Sequence, residues 1–363
     1  MNTSPTMFAI VTDAFGGRGG IAQYNRDFLG ALIETGAVSS ITVLPRLAPD
    51  LPEPPEKIEQ TSARSGRIAY SVAALRIALL RRVDVVFCGH LFMAPLARLI
   101  AHLKRAKLIV QTHGVEAWPR PSRLQRAALE GADLVLCVSR HTRAAVLSWA
   151  SNAPERVLVV PDTVREEFTP GDGSTLRGVL ALENKRVLLT VSRMDSRHRY
   201  KGQDRVIAAI SYLVAEGHDV HYVVAGEGDD RARLEALALQ ARVSERVHFL
   251  GAPKLQSLIE LYRMADLFVM PSTGEGFGIA FLEAMASGTP ALGLDVGGAR
   301  DGLADSQLGT AVPEAELPAT IARLLADPKP DSAALAAATH ARFGRAMFTT
   351  GVRTALNRLT ETI

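Results

Sequence analysis

The stretch Pro271-Ser272-Thr273-Gly274-Glu275-Gly276-Phe277-Gly278-Ile279-Ala280-Phe281-Leu282-Glu283-Ala284-Met285-Ala286-Ser287-Gly288-Thr289-Pro290 decides how this chain is read. Leu267–Met270 before it and Pro290–Leu294 after it are short apolar runs. Apolar runs of that length joined by a helix-forming segment describe strand, helix, strand in a buried parallel sheet. Gly276 and Gly278 put bare backbone in front of a helix that starts near Gly278. The N–H groups at such a start, with the helix dipole behind them, form an anion site. Glu275 stands in the loop, and Glu283 follows eight residues later. That spacing is about two helical turns, which puts Glu283 on nearly the same face. One carboxylate suits sugar hydroxyls, the other suits a ribose diol, and phosphates fit the helix start between them.

The same alternation extends in both directions. Met7–Val11, Ile41–Leu44, Val83–Phe87, Leu108–Gln111, Leu134–Val138 and Val157–Val160 read as strands, and helical stretches lie between most of them. A polar segment with Pro170, Gly171 and Gly173, from Pro161 to Ser174, reads as a linker. The pattern then restarts with strands at Val187–Val191, His221–Ala225, Val247–Leu250, Leu267–Met270 and Pro290–Leu294. The sequence therefore describes two doubly wound α/β units. Pro45–Lys57, with five prolines, reads as a surface loop, and Ala333–Thr362 reads as helical.

In open parallel sheets ligands bind beyond the carboxyl ends of the strands, and the remaining motifs fall there. Gly16, Gly17, Gly19 and Gly20 follow the first strand and open a helix. This matches the loose dinucleotide fingerprint, but the second strand ends Val43-Leu44-Pro45 with no acid for a ribose, so a phosphate or sugar contact is the better reading. Strand Val187–Val191 runs into a loop carrying Arg193, Arg197, His198, Arg199 and Lys201, a cation set suited to a diphosphate. Strand His221–Ala225 ends in Gly226-Glu227-Gly228, where the missing side chains permit close approach of a ligand.

Composition removes other classes. Of 363 residues 47% are hydrophobic and 22% charged, which is too apolar for a disordered chain. A formal net charge of +3 is too mild for a nucleic-acid binder. The charge is uneven: residues 1–165 carry +7 and the remainder −4, which marks the first part as the one to meet an anionic surface. Cys88 and Cys137 sit in apolar runs and form no disulfide or zinc pattern, which fits a reducing cytoplasm. No signal peptide and no membrane span are read.

The Glu275 to Glu283 spacing reproduces the Glu-x7-Glu signature, and the chain resembles the retaining glycosyltransferases of family 4, also called glycosyl transferase group 1. The resemblance covers nearly the whole chain. It includes the Gly16-Gly17 loop, Thr112-His113-Gly114, Val138-Ser139, Arg193 with Lys201-Gly202, Gly226-Glu227-Gly228 and Phe249-Leu250-Gly251, all in the family's order. It implies a GT-B fold of two Rossmann-like domains facing a cleft. Residues 1–165 would be the acceptor domain, 166–340 the nucleotide-sugar domain, and 341–363 a helix crossing back to the first. The resemblance also implies residue roles. Arg193 and Lys201 would bind the donor diphosphate and stabilise the leaving nucleotide, and Glu275 would hold the donor sugar with the backbone at Gly276 and Phe277. Backbone near Gly278 and Ile279 would meet the phosphates, Glu283 would bind the ribose, and Leu250 would lie against the base. His113 would approach the donor sugar, and Gly16 and Gly17 would line the diphosphate and acceptor side. The stretch between Arg193 and Lys201 is longer than in many relatives; Lys201 keeps its following Gly202, and Arg197 and Arg199 are candidates to share its role.

On the same resemblance the expected reaction is transfer of a hexose, with retention and without a metal or other cofactor, from GDP-mannose or a UDP-sugar. The expected acceptor is a polyprenyl-diphosphate-linked oligosaccharide or another glycolipid. Alternatives are a soluble sugar-phosphate acceptor, or a non-catalytic nucleotide-binding protein of the same fold. The segments Arg67–Arg82 and Pro95–Lys107 are helical, apolar and basic. Arg76, Arg81, Arg82, Lys104, Arg105 and Lys107 are the cations expected to meet an anionic inner-leaflet surface.

Overall fold

The computed structural model describes residues 4–50 and 53–360. They form two compact units. One runs to Thr163 and takes in the residues from Ala346 onward; the other is Val164–Arg345.

The first unit has the order β1 (Thr6–Val11), α1 (Gly20–Glu34), β2 (Ser40–Pro45), β3 (Ile58–Gln60), α2 (Arg67–Leu80), β4 (Val85–Cys88), α3 (Ala94–Lys104), β5 (Lys107–Thr112), α4 (Arg123–Glu130), β6 (Leu134–Cys137), α5 (Arg140–Trp149) and β7 (Val157–Val159). The strands form one parallel sheet, β3-β2-β1-β4-β5-β6-β7. Its central strands are buried along their length because helices cover both faces. Cys88 and Cys137 are core residues here, free and fully buried.

The second unit has the order α6 (Ser174–Val179), β8 (Arg186–Val191), α7 (Gln203–Ala215), β9 (Val220–Ala225), α8 (Arg231–Gln240), β10 (Val247–Phe249), α9 (Leu255–Met264), β11 (Leu267–Met270), α10 (Ile279–Ala286), β12 (Ala291–Leu294), α11 (Ala299–Gly302), β13 (Thr310–Val312), α12 (Leu317–Ala326) and α13 (Ser332–Phe343). Its sheet is also parallel, in the order β10-β9-β8-β11-β12-β13. The last helix, α14 (Arg345–Thr360), belongs to the first unit from Ala346 on.

Two strands escape the sequence reading, β3 and β13. Both are three-residue edge strands, and Ile58-Glu59-Gln60 and Thr310-Ala311-Val312 carry no apolar run. β3 closes the proline-rich segment read as loop, in which Leu51 and Pro52 lie outside the described residues. The helical ending is two helices, not one. Gly344 lies between α13 and α14, and its position leaves no room for a side chain beside the carbonyl of His340. Of that ending, residues 361–363 lie outside the described residues.

Sheet order fixes where a ligand can sit. In each unit the strand order reverses at one point, between β1 and β4 and between β8 and β11. Crevices at such reversals are the ligand sites of open α/β sheets. They bring together the loops after β8 and β11, which carry Arg193 to Lys201 and Glu275. In the first unit they bring together the loops after β1 and β4.

Candidate active site

In the second unit, Lys201 Nζ donates to Glu275 Oε2 at 2.6 Å, and both side chains are largely buried. The two residues are joined through the backbone as well, since Thr273 N–H donates to the Tyr200 carbonyl at 2.8 Å. Gly202 makes the approach feasible. It is left-handed, with φ +82°, and a Cβ there would strike the Pro271 carbonyl oxygen. Any side chain at 202 would therefore push the cation loop off the loop that carries Glu275. The other cations are distributed as follows. Arg197 forks onto Asp195 at 2.7 and 3.0 Å, and Arg199 pairs with Asp230 at 2.8 Å. Both are paired at the exposed edge of the loop, whereas the pair that Lys201 makes with Glu275 is largely buried. Arg193 is exposed and has no ion-pair partner among the described residues. The loop thus offers one unneutralised guanidinium beside a buried Lys–Glu pair.

The backbone N–H groups of Gly276, Phe277, Gly278, Ile279 and Ala280 have no partner within the described protein. Gly278 caps α10 in the left-handed region, with φ +100° and no room for a Cβ beside the Phe281 ring. The loop is held from behind by Gly298 N–H, which donates to the Glu275 carbonyl at 2.8 Å. Phe277 is buried, its ring edge-on to Phe343 at 5.7 Å, and its backbone lies against Gly298 and Gly302, where a side chain would not fit. Unpaired N–H groups held at a helix start suit an anion because they need no reorganisation when the charge arrives.

Glu283 on α10 accepts a hydrogen bond from the Tyr262 hydroxyl on α9 at 2.8 Å. It retains some exposure, yet the apolar surroundings push its carboxyl up to about 7, against the pull of Tyr262 and Arg165. Leu250 leaves 40% of its surface exposed while its N–H is spent on Val224, so what it offers a ligand is the side chain. Gly226 is packed against its own chain. Its missing side chain makes room for the chain itself: a Cβ would strike the Ser192 carbonyl oxygen, and its N–H donates to Gly251 at 2.7 Å. Its N–H fastens the loop after β9 to the loop after β10, and its missing Cβ lets the loop after β8 pack against it.

In the first unit, His113 follows β5. Its Nε2 lies 2.9 Å from the Gly89 carbonyl, which can only accept, so Nε2 carries the proton and Nδ1 is the basic nitrogen. Burial lowers its pKa, against Glu116 and the Gly89 bond, and keeps the ring neutral. The ring stands edge-on to Tyr24 at 5.3 Å and lies 6.0 Å from His90. His90 went unread in the sequence. It stands just after β4 as His113 stands just after β5, and burial pushes it down to about 4. Gly16 and Gly17 form a turn tied down by neighbours. Arg26 donates to the carbonyls of Ala14 and Gly17, and Gln60 brackets the Phe15 backbone.

The basic helices differ from the sequence expectation. Arg81 pairs with Glu59, Arg82 with Asp84 and Lys107 with Asp133, which removes three of the six cations named for an anionic surface. Arg76, Lys104 and Arg105 have no such partner among the described residues. Beside them Ile68, Val72, Leu79 and Leu80 of α2 and Leu99 and Leu103 of α3 are exposed, Ile68 at 82%. No helix among the described residues is long and apolar enough to cross a membrane.

The family model described as glycosyl transferases group 1 matches residues 174–341, and that of glycosyltransferase family 4 matches residues 18–168. A GDP-mannose-dependent alpha-(1-6)-phosphatidylinositol monomannoside mannosyltransferase of Mycolicibacterium smegmatis is 30% identical over 92% of this chain and 93% of its own length. This chain belongs to the group 1 glycosyl transferases. The glycosyltransferase is also similar to a D-inositol 3-phosphate glycosyltransferase of Geodermatophilus obscurus, 33% identical over 60% of this chain and 49% of the relative. Its fold is that of HepE of Anabaena, solved with UDP and glucose, at a TM-score of 0.77 and 18% identity over 97% of this chain and 99% of that one. The fold is GT-B, with two Rossmann-like units.

Proposed function

We propose that this glycosyltransferase moves a hexose, with retention of configuration and without a metal, from a nucleotide sugar to a lipid-linked acceptor. GDP-mannose is the donor the reading favours, with a UDP-sugar second. The observation that carries it is the Lys201–Glu275 pair set against five unpaired N–H groups at the start of α10. A diphosphate sugar presents to that arrangement two phosphates, which Arg193, Lys201 and the N–H groups take. Its sugar hydroxyls go to Glu275 and its ribose to Glu283. In the reaction the bond from the anomeric carbon to phosphate oxygen breaks and a bond to the acceptor hydroxyl oxygen forms on the same face. The acceptor's proton passes to the departing phosphate. Charge grows on that phosphate, and Arg193, Lys201 and the N–H dipoles are already oriented toward it. Within the first unit, His113, uncharged and with Nδ1 basic, is suited to accept a hydrogen bond from a hydroxyl group.

The donor reading draws on the GDP-mannose-dependent relative, and the glycolipid acceptor on the same relative's name. A peripheral membrane contact through α2 and α3 is supported by their exposed apolar side chains beside Arg76, Lys104 and Arg105. The inositol-phosphate relative favours a second reading, a soluble sugar-phosphate acceptor. Melting shifts with GDP, UDP and ADP, followed by donor hydrolysis and NMR of the product's anomeric centre, test the proposal. GDP is expected to shift the midpoint most, and the product to keep the donor's anomeric configuration. Absence of any nucleotide shift removes the enzymic reading.

A further inference from the structure

Glu283 is held by one oxygen only. Oε2 takes the Tyr262 hydroxyl, whereas Oε1 has no partner within the described protein and is not among the buried unpaired atoms. Tyr262 is fully buried and cannot turn away. Its ring is boxed by Phe168 at 5.8 Å and Phe268 at 5.7 Å, and its own carbonyl is bound by the Thr289 hydroxyl at 2.6 Å. Burial and the neighbouring carboxylate raise its pKa well above the usual value, so the phenol stays a donor at every working pH. A carboxylate with one oxygen clamped from within loses rotational freedom, and the geometry of the other oxygen is set before a ligand arrives.

We propose that Tyr262 is a positioning residue for donor binding: its buried hydroxyl fixes Oε2 of Glu283 so that Oε1 is presented to a hydroxyl of the nucleotide's ribose. The inference rests on the reading of Glu283 as the ribose-binding acid. The charged and titratable groups facing Glu283 are Tyr262 from α9 and Arg165 from the segment before α6. Both favour the anion, so losing the phenol raises the carboxyl's pKa further.

The experiment compares binding of GDP with 2′-deoxy-GDP and 3′-deoxy-GDP by calorimetry, in the wild type, Tyr262→Phe and Glu283→Gln, each checked for an intact melting transition. UDP and its deoxy forms replace them if UDP gives the larger melting shift. The wild type is expected to prefer the ribonucleotide by roughly 10- to 100-fold, the size of a hydrogen bond to a charged group. In Tyr262→Phe that preference falls at least about fivefold, and the pH above which the ribonucleotide binds tightly moves upward. Each ratio is measured on folded protein, so a general loss of stability leaves it unchanged. If Tyr262→Phe keeps the full preference while Glu283→Gln loses it, Tyr262 is a packing residue and the proposal falls. If Glu283→Gln also keeps it, the ribose reading of Glu283 itself is wrong.

Discussion

The two units solve the same topological problem with opposite electrostatics. At its strand-order reversal the second unit gathers charge: an open Arg193, the Lys201–Glu275 pair, Glu283 and a row of unpaired N–H groups. At the corresponding loops the first unit centres on two histidines, His90 and His113, both kept uncharged by burial although Glu116 acts on both, beside a glycine turn fastened by Arg26 and Gln60. The difference teaches that the sheet supplies only the position.

The comparison breaks most directly at the charged loops. Lys201→Ala and Glu275→Ala are each expected to lower turnover by ~10²–10³, the usual result of removing one preorganised electrostatic contact. Arg197→Ala should change it little, because Asp195 already neutralises that guanidinium. Steady-state rates with the donor found by the melting screen decide this, and near-normal rates in the first two variants would move the site elsewhere. Gly202→Ala comes next. Forcing a side chain into the left-handed region costs about 1–3 kcal/mol, and here it also strikes Pro271. A lowered melting midpoint together with loss of GDP protection is expected.

A smaller effect should appear at the membrane. Changing Arg76, Lys104 and Arg105 to Glu is expected to weaken binding to anionic liposomes, at ~1 kcal/mol per charge removed. Changing Arg81 and Arg82 should do less, since Glu59 and Asp84 already hold them. Unchanged cosedimentation of the triple variant would end the membrane proposal.

The smallest effects are pH slopes, and they run in opposite directions in the two units. Glu283 has its carboxyl raised from 4.5 to about 7 in the folded chain. Between those values the folded chain keeps a proton that the unfolded chain has released, so this group's contribution to stability is lost as pH rises through about 7. His90 is lowered from 6.5 to about 4. There the unfolded chain takes a proton that the folded one refuses, so stability falls as pH drops below 6.5. Urea midpoints across this range should lose the first slope in Glu283→Gln and the second in His90→Asn. Slopes that persist in both variants would dissociate the effect from these residues.

Much of this was legible in the sequence, for physical reasons. Fully apolar strands cannot belong to a half-exposed sheet, so the parallel units were readable, whereas β3 and β13, with one or two apolar residues each, were not. The Glu275 and Glu283 spacing was readable because one short loop and the helix that follows it carry both. The Lys201–Glu275 pair spans 74 positions and appears only once β8 and β11 are neighbours. At Gly226 the packing of the chain against the bare strand end was not readable, because it depends on Ser192 and Gly251, far off in sequence. Tyr262 carried no signal at all: a tyrosine on an apolar helix face reads as core, and it is core, with one hydroxyl aimed at α10.

The helix after Gly344 has a consequence for how the protein is made. Phe348, Val352, Ala355 and Leu359 are buried in the first unit, and Phe348 stands edge-on to Tyr24 at 5.8 Å. On the ribosome, the first half emerges long before the residues that cover Tyr24 exist. It must wait, with that aromatic face open, while the whole second unit is synthesised. The earliest-born half is thus the last to be finished, and it is there that a chaperone would find its hold.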